Sequence, residues 1–190
     1  MPELDTAILQ AALELFIERG VDGTSIEQVA KRAGVGKVSV YRRWSSKEKM
    51  LARAIESTRE EIPDLLPEHT ADVPVTTLVE QALPAQVDAL VAPGFRAMVA
   101  RLLGCSTSHP SLWETYWEHY VLPRRRAAKG LLGRAQQEGL LDADADLDVL
   151  LDMLAGSVLL RLLQSGPWDA AEARRYLTTL YRQVGLLPGA

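Results

Sequence analysis

The chain holds one cysteine among its 190 residues, so no disulfide can close within it, and Cys105 agrees with a reducing compartment. Its apolar runs are short and broken by charge, and none is long enough to span a bilayer. The opening segment MPELDTAILQ carries acids where a secretory signal carries bases. Together these absences predict a cytoplasmic protein with no membrane partner. Strand-like alternation, internal repeats and low-complexity tracts are missing as well. So are the marks of catalysis, since there is no Ser/His/Asp order, no phosphate-binding glycine loop and no HExxH. The expectation is therefore not an enzyme, and no cofactor. Cys105 and His109 stand at i, i+4 spacing, but Pro110 separates them from His119 and no second Cys or His cluster exists, which predicts no metal site.

What the chain does have is a globular composition, 47% hydrophobic, and enough length to bury a core in a small domain plus a larger one. A net charge of −4 argues at first against a polyanionic partner. Its distribution argues the other way. Between Thr24 and Met50 stand seven bases (Lys31, Arg32, Lys37, Arg42, Arg43, Lys47 and Lys49) against two acids, Glu27 and Glu48. Local potential decides where a polyanion docks, and net charge does not.

The punctuation predicts an all-α fold of about nine helices. Leu4, Ile8, Ala12, Leu15 and Phe16 recur at helical spacing, and Gly20 closes that first helix. Thr24-Ser25-Ile26-Glu27 reads as a capping box, with the Thr24 hydroxyl on the amide of Glu27. Gly34 supplies a turn, a third helix runs to about Arg43, and Ser45-Ser46-Lys47-Glu48 opens a fourth. Pro63, Pro67 and Pro74 mark the expected boundary between residues 1–62 and residues 63–190. Beyond it come a helix over 75–91 that Pro84 would kink, one with Phe95, Met98, Val99 and Leu102 on a face, and a long one from Pro110 to about Glu138 that Pro123 bends or splits. An eighth carries Leu147, Leu150, Leu151, Leu154, Val158 and Leu162, and a ninth spans about 169–186.

The stretch from Thr24 to Met50 has the parts of a helix-turn-helix: a bracing helix, a tight turn, and a second helix with an apolar inner face and a basic outer one. Val29, Ala33, Val35, Val40 and Trp44 fall inward. Lys37, Val38, Ser39, Tyr41, Arg42 and Arg43 fall outward. Lys37 and Arg42 can donate to guanine, Ser39 to a base or phosphate, and Val38 can touch a thymine methyl. Thr24, Ser25, Tyr41 and Lys47 suit phosphates, which set register and not sequence. Arg43 extends the same basic edge. Taken alone, a short basic helix is more often a solvated face. Here the turn, the caps, the Trp44 anchor and the charge asymmetry coincide.

In the body, Trp113, Tyr116, Trp117 and Tyr120 share one helix face. They read either as core or, with Phe95, Met98 and Leu102 opposite, as the wall of an apolar ligand pocket. Arg124-Arg125-Arg126 reads as a solvated, salt-bridged stretch. The last two helices are the dimer candidates, through Leu150, Leu154, Ser157, Val158 and Arg161 on one and Leu177, Leu180 and Tyr181 on the other. The alternative is that both only cover their own subunit.

The segment ALELFIERGVDGTSIEQVAKRAGVGKVSVYRRWSSKEKML resembles the N-terminal domain of the TetR family of transcriptional regulators. The shared features are the A…LF…G pattern, T-S-I-x-x-V-A, A-G-V-G-K-x-S-V-Y, the aromatic at Trp44 and the S-K-E that follows. The resemblance covers about 55 residues. It implies an all-α homodimer in which the small domain binds double-stranded DNA and the larger one binds a ligand and dimerises. It also places the pocket among helices five to eight. Arg42 and Arg43 depart from the pattern, since many relatives carry His or an aromatic there. The expected function is a ligand-responsive repressor on a palindromic operator, with helix four passing the signal from a small, largely apolar effector. The alternatives are a DNA-binding protein without an effector and a small helical enzyme.

Overall fold

The computed structural model describes residues 2–57, 72–166 and 168–189. These are helical, with no strand among them. The helices are α1 (Pro2–Arg19), α2 (Ile26–Arg32), α3 (Lys37–Tyr41), α4 (Lys47–Ser57), α5 (Val75–Val91), α6 (Phe95–Cys105), α7 (Pro110–Tyr116), α8 (Leu122–Gln137), α9 (Leu147–Leu163) and α10 (Ala170–Gln183). A π-helical turn, Trp117–Val121, joins α7 to α8 without a break. The expected long helix is therefore continuous, and Pro123 neither ends it nor splits it. Proline has no N–H for the carbonyl four residues back. The ladder changes register just ahead of it, where Leu122 N–H donates to the Trp117 carbonyl five residues back. Pro84 likewise sits inside α5, which continues through it. Pro63 and Pro67, expected to mark the boundary, lie outside the described residues.

The chain packs as two units, Met1–Ile62 with Ala97–Leu122, and Pro63–Arg96 with Pro123–Ala190. A division in chain order at residue 62 thus differs from the packing in one segment, because most of α6, all of α7 and the π turn pack with the N-terminal helices. In the first unit α1 packs on α2 and α4, α2 on α3, and α4 on α7. Its core holds Ile8, Ala12, Leu15 and Phe16 of α1, Val29 of α2, Val40 of α3, Met50, Leu51 and Ile55 of α4, and Leu102 and Leu112. Each large side chain fully buried there contributes roughly 1.5–3 kcal/mol. Arg101 of α6 closes the C-terminal end of α1, donating to the carbonyls of Ile17 at 3.3 Å and Glu18 at 2.9 Å. Those are two of the four acceptors a helix leaves without internal partners.

The second unit has two apolar clusters. One joins Val75 and Val79 of α5 to Leu132 and Ala135 of α8, Leu151 of α9, and Leu186 and Leu187. The other joins Leu83 and Val87 of α5 to Ala173 and Leu177 of α10. Asp146 caps α9 by accepting from the amides of Asp148 and Val149, and Asp169 caps α10 through the amide of Glu172.

Candidate nucleic-acid interface

The turn between α2 and α3 depends on Gly34, whose φ of 69° is left-handed and strains any residue with a side chain. Across it, Val35 N–H donates to the Ala30 carbonyl at 2.9 Å. The cap of α2 falls one residue later than the sequence pattern predicts. Ser25 is the N-cap, its hydroxyl accepts from Gln28 N–H at 3.2 Å, and its own N–H donates to Gln28 Oε1 at 3.0 Å. Thr24 is 2% exposed, and its hydroxyl donates to the Gly20 carbonyl at 2.7 Å. Its side chain braces the end of α1 and is not turned to a phosphate, which corrects the expectation for Thr24. Glu27 is left exposed. Its carboxyl is held below the ordinary range by its own backbone N–H and then by Lys37.

Helix α3 keeps the inward and outward split expected of it. Val40 is buried, while Val38 is 75% exposed and Lys37, Tyr41 and Arg42 are exposed beside it. Ser39 is half-buried. Lys37 lies 3.6 Å from Glu27, an exposed ion pair that weakens readily with salt. Arg42 forms no ion pair among the described residues. Arg43 behaves otherwise. Its side chain is only 14% exposed, its Nε pairs with Asp5 of α1, and its Nη1 donates to the Ser39 carbonyl at 3.0 Å. The expectation that Arg43 faces outward with Arg42 is thereby corrected, because α3 ends at Tyr41 and the next turn rotates Arg43 toward α1. Lys47 reaches back from α4 to the Val21 carbonyl at 2.8 Å, which commits one of its three protons. Ser46 caps α4 through Lys49 N–H at 3.2 Å. The side chains left exposed on α3 and just past its end are Lys37, Val38, Tyr41 and Arg42, with Ser25, Ser39 and Lys47 half-buried nearby.

Of the aromatic set, Trp113, Tyr116, Trp117 and Tyr120 lie in the same packing unit as α3, with Met98 and Leu102. Phe95 is grouped with the other unit. Tyr116 and Tyr120 are buried and stack at 4.9 Å, and Met98 and Leu102 are buried as well. Trp113 is half-buried and lies 6.2 Å from Trp117, which is exposed. His119 Nε2 stands 3.4 Å from Glu56 of α4, and His109 Nε2 3.6 Å from Asp22. Cys105 donates to the Leu102 carbonyl, and burial pushes its thiol up. Among the described residues no group of three His, Cys, Asp or Glu side chains is placed to hold a metal.

The residues expected at a dimer contact are partly covered within their own subunit. Leu177 is buried, Leu150 packs on one apolar cluster, Val158 on the other, and Tyr181 on both. Leu154, Ser157 and Leu180 are half-buried. Tyr181 Oη donates to Gln86 Oε1 at 2.5 Å, and burial pushes its phenol up to about 12. Arg161 pairs with Glu172 at 2.6 Å and lies over the Trp168 ring. The opposite face of α9 is the open one. Val149, Met153, Leu160 and Leu163 stand exposed with Gly156 among them, at steps of three and four residues. Helix α9 is apolar nearly all round, so its sequence alone marks no preferred face. Beside the open face, Arg125 of α8 pairs with Asp148 and Asp152, and Lys129 pairs with Asp148 at 2.6 Å.

Two family descriptions match the chain: "Bacterial regulatory proteins, tetR family" over residues 8–54, and "Tetracyclin repressor-like, C-terminal domain" over residues 78–180. The HTH-type transcriptional regulator YdeS of Bacillus subtilis is 31% identical over 160 residues, 84% of this chain and 78% of the relative. The DNA-binding transcriptional repressor TetR of Mycobacteroides abscessus is 26% identical over 188 residues, 97% and 94% of the two chains. Among solved structures, GusR of Salmonella enterica superposes with a TM-score of 0.77 over 98% of this chain and 96% of its own, at 23% identity, a likeness of fold.

Proposed function

The chain is a DNA-binding transcriptional regulator of the TetR family, and from that premise we propose that it is a homodimeric repressor whose hold on a palindromic operator is relieved by a small, largely apolar molecule. The family is one of regulators and not of enzymes. The observation that carries the reading of DNA is the face of α3, where Val38, Tyr41 and Arg42 stand exposed opposite the buried Val40. Arg42 is the guanine reader and Val38 the thymine-methyl contact, with Lys37 and Ser39 supporting them. Tyr41, Ser25 and the remaining protons of Lys47 serve phosphates.

Dimerisation is assigned to the open apolar face of α9. A contiguous apolar stripe of this kind marks a contact surface, and a two-fold partner presents the same stripe in return. Gly156 at its middle lets a second helix approach closely. Paired α3 helices then sit about one DNA turn apart, roughly 34 Å, or a multiple of it.

The effector reading rests on Trp113 and Trp117. They are the accessible end of the aromatic row, and the π turn begins at Trp117. Such turns recur at functional sites. Both tryptophans belong to the packing unit that holds α3, and α7 packs on α4. A ligand that displaces α7 therefore acts on α4 directly. It relieves repression only if it prefers one arrangement of the helices over the other. In this reading residues 1–62 hold the DNA, residues 63–190 serve ligand and dimer, and 97–122 belong structurally with the former.

The test is a gel shift of the full chain on its own upstream region and on a scrambled duplex, across a salt series, with and without apolar aromatic compounds. Selective binding that such a compound releases supports the whole reading. Selective binding that no compound changes leaves a regulator without an effector. Equal affinity for both duplexes sinks the operator reading.

A further inference from the structure

We infer that Asp5 is a specificity-determining positioning residue, which holds Arg43 away from DNA and fixes the end of the reading helix. The inference rests on DNA reading by α3. Helix α3 has only five residues and ends with few internal hydrogen bonds. Arg43 N–H, which a continuing helix would give to the Ser39 carbonyl, goes instead to Val40 at 3.0 Å. The Ser39 carbonyl is then one of the acceptors a helix end leaves unpaired. The Arg43 guanidinium supplies the missing donor through Nη1 at 3.0 Å, and a cation at this end also suits the helix dipole. Asp5 takes the other edge of the same guanidinium through Nε. One side chain thus joins the first turn of α1 to the last turn of α3, 38 residues apart.

Two consequences follow for binding. First, Arg43 is withdrawn and neutralised although it adjoins Arg42 on the basic edge, so one sequence-independent phosphate contact per subunit is suppressed. Such contacts raise affinity for any duplex and make it steeply dependent on salt. Second, Tyr41 and Arg42 leave α3 at a fixed pitch, which base-edge geometry demands. Removing Asp5 frees a cation for random DNA and loosens the readers needed for the cognate site. Affinity for random duplex rises while discrimination falls.

The experiment measures fluorescence anisotropy of the full chain on two labelled duplexes, one selected by the wild type from a random pool and one scrambled, from about 50 to 300 mM KCl. For Asp5→Ala we expect the scrambled duplex to bind several-fold tighter at low salt. We also expect the slope of log K against log salt to steepen by about 0.9 per subunit, one phosphate contact. The ratio of selected to scrambled affinity should fall about tenfold. Glu3→Ala, the same charge change one turn-edge away on α1, should leave the slope within half of that shift. Arg43→Gln alone should leave the scrambled slope at its wild-type value, and Asp5→Ala/Arg43→Gln should return to it. An unchanged slope in Asp5→Ala, or a wild-type slope that drops in Arg43→Gln, overturns the inference. Loss of affinity for both duplexes with no slope change reduces the pair to a structural brace and overturns it equally. A wild type that selects no duplex over scrambled defeats the operator reading itself, a result distinct from these.

Discussion

Replacing Leu160 with alanine separates the open face of α9 from the packed one. Leu160 is 64% exposed in the subunit. Burying a whole leucine side chain contributes about 1.5–3 kcal/mol, so covering the exposed part contributes roughly 1–2 kcal/mol. Truncation to alanine forfeits most of that, and two-fold symmetry counts it twice. The loss is then roughly 1–3 kcal/mol per dimer. At 1.4 kcal/mol per decade, the dimer dissociation constant rises about 5- to 150-fold. Met153→Ala, at 63% exposure, should behave alike. Folding of the separated subunit should change by no more than about 0.5 kcal/mol, because an exposed side chain leaves no cavity. Leu177→Ala is the contrast. That side chain is buried within its own cluster, and its loss should cost about 2–5 kcal/mol of folding stability. Sedimentation velocity over a dilution series reads the dissociation constants, and urea unfolding reads the stabilities. Equal dissociation constants for wild type, Leu160→Ala and Met153→Ala would refute the assignment of this face.

Arg42→Ala should weaken cognate binding by about 1–3 kcal/mol and relax preference at one base pair per half-site, whereas Lys47→Ala should weaken all sequences alike; site selection from a random pool distinguishes them. Gly34→Ala meets open space and should cost only the left-handed penalty, about 1–2 kcal/mol. Gly185→Ala adds a methyl 2.8 Å from the Leu140 carbonyl and should cost clearly more in the same thermal melt. Tyr181 holds its proton up to about 12 in the fold, whereas an unfolded tyrosine releases it near 10. Its contribution is thus complete below pH ~10 and is lost as pH rises toward 12. Ultraviolet titration of phenolate should show one late tyrosine, absent in Tyr181→Phe. Tryptophan fluorescence should respond to an apolar aromatic effector in the wild type and not in Trp113→Phe/Trp117→Phe; silence in both removes the support for the wall.

The helices were legible in the sequence because apolar spacing, caps and glycines agreed with one another. The α2–α3 turn was clearest, since Gly34 has a single structural use there. The faces were less legible. Which of Thr24 and Ser25 caps α2 depends on the Gly20 carbonyl, which takes the Thr24 hydroxyl first. Arg43 looked like Arg42 because only the fold brings Asp5 to it, from 38 residues away. The open stripe of α9 was hidden because apolar residues surround that helix, and α5, α8 and α10 decide which of them are covered. Tyr116 and Tyr120 were part of an aromatic row with two readings. The spacing alone does not show that these two are buried while Trp113 is half-buried and Trp117 exposed, because that depends on how α7 packs.

The grip of Arg101 on the end of α1, and the packing of α7 on α4, also govern how the polypeptide emerges during synthesis. The nucleic-acid-reading half is not finished when residue 57 leaves the ribosome, because Leu102 and Leu112 complete its interior. Some sixty-five further residues must be added, which takes on the order of 3–13 seconds at about 5–20 residues per second. Throughout that interval the nascent chain carries uncovered leucine and methionine faces, so chaperone demand should peak before translation reaches residue 122.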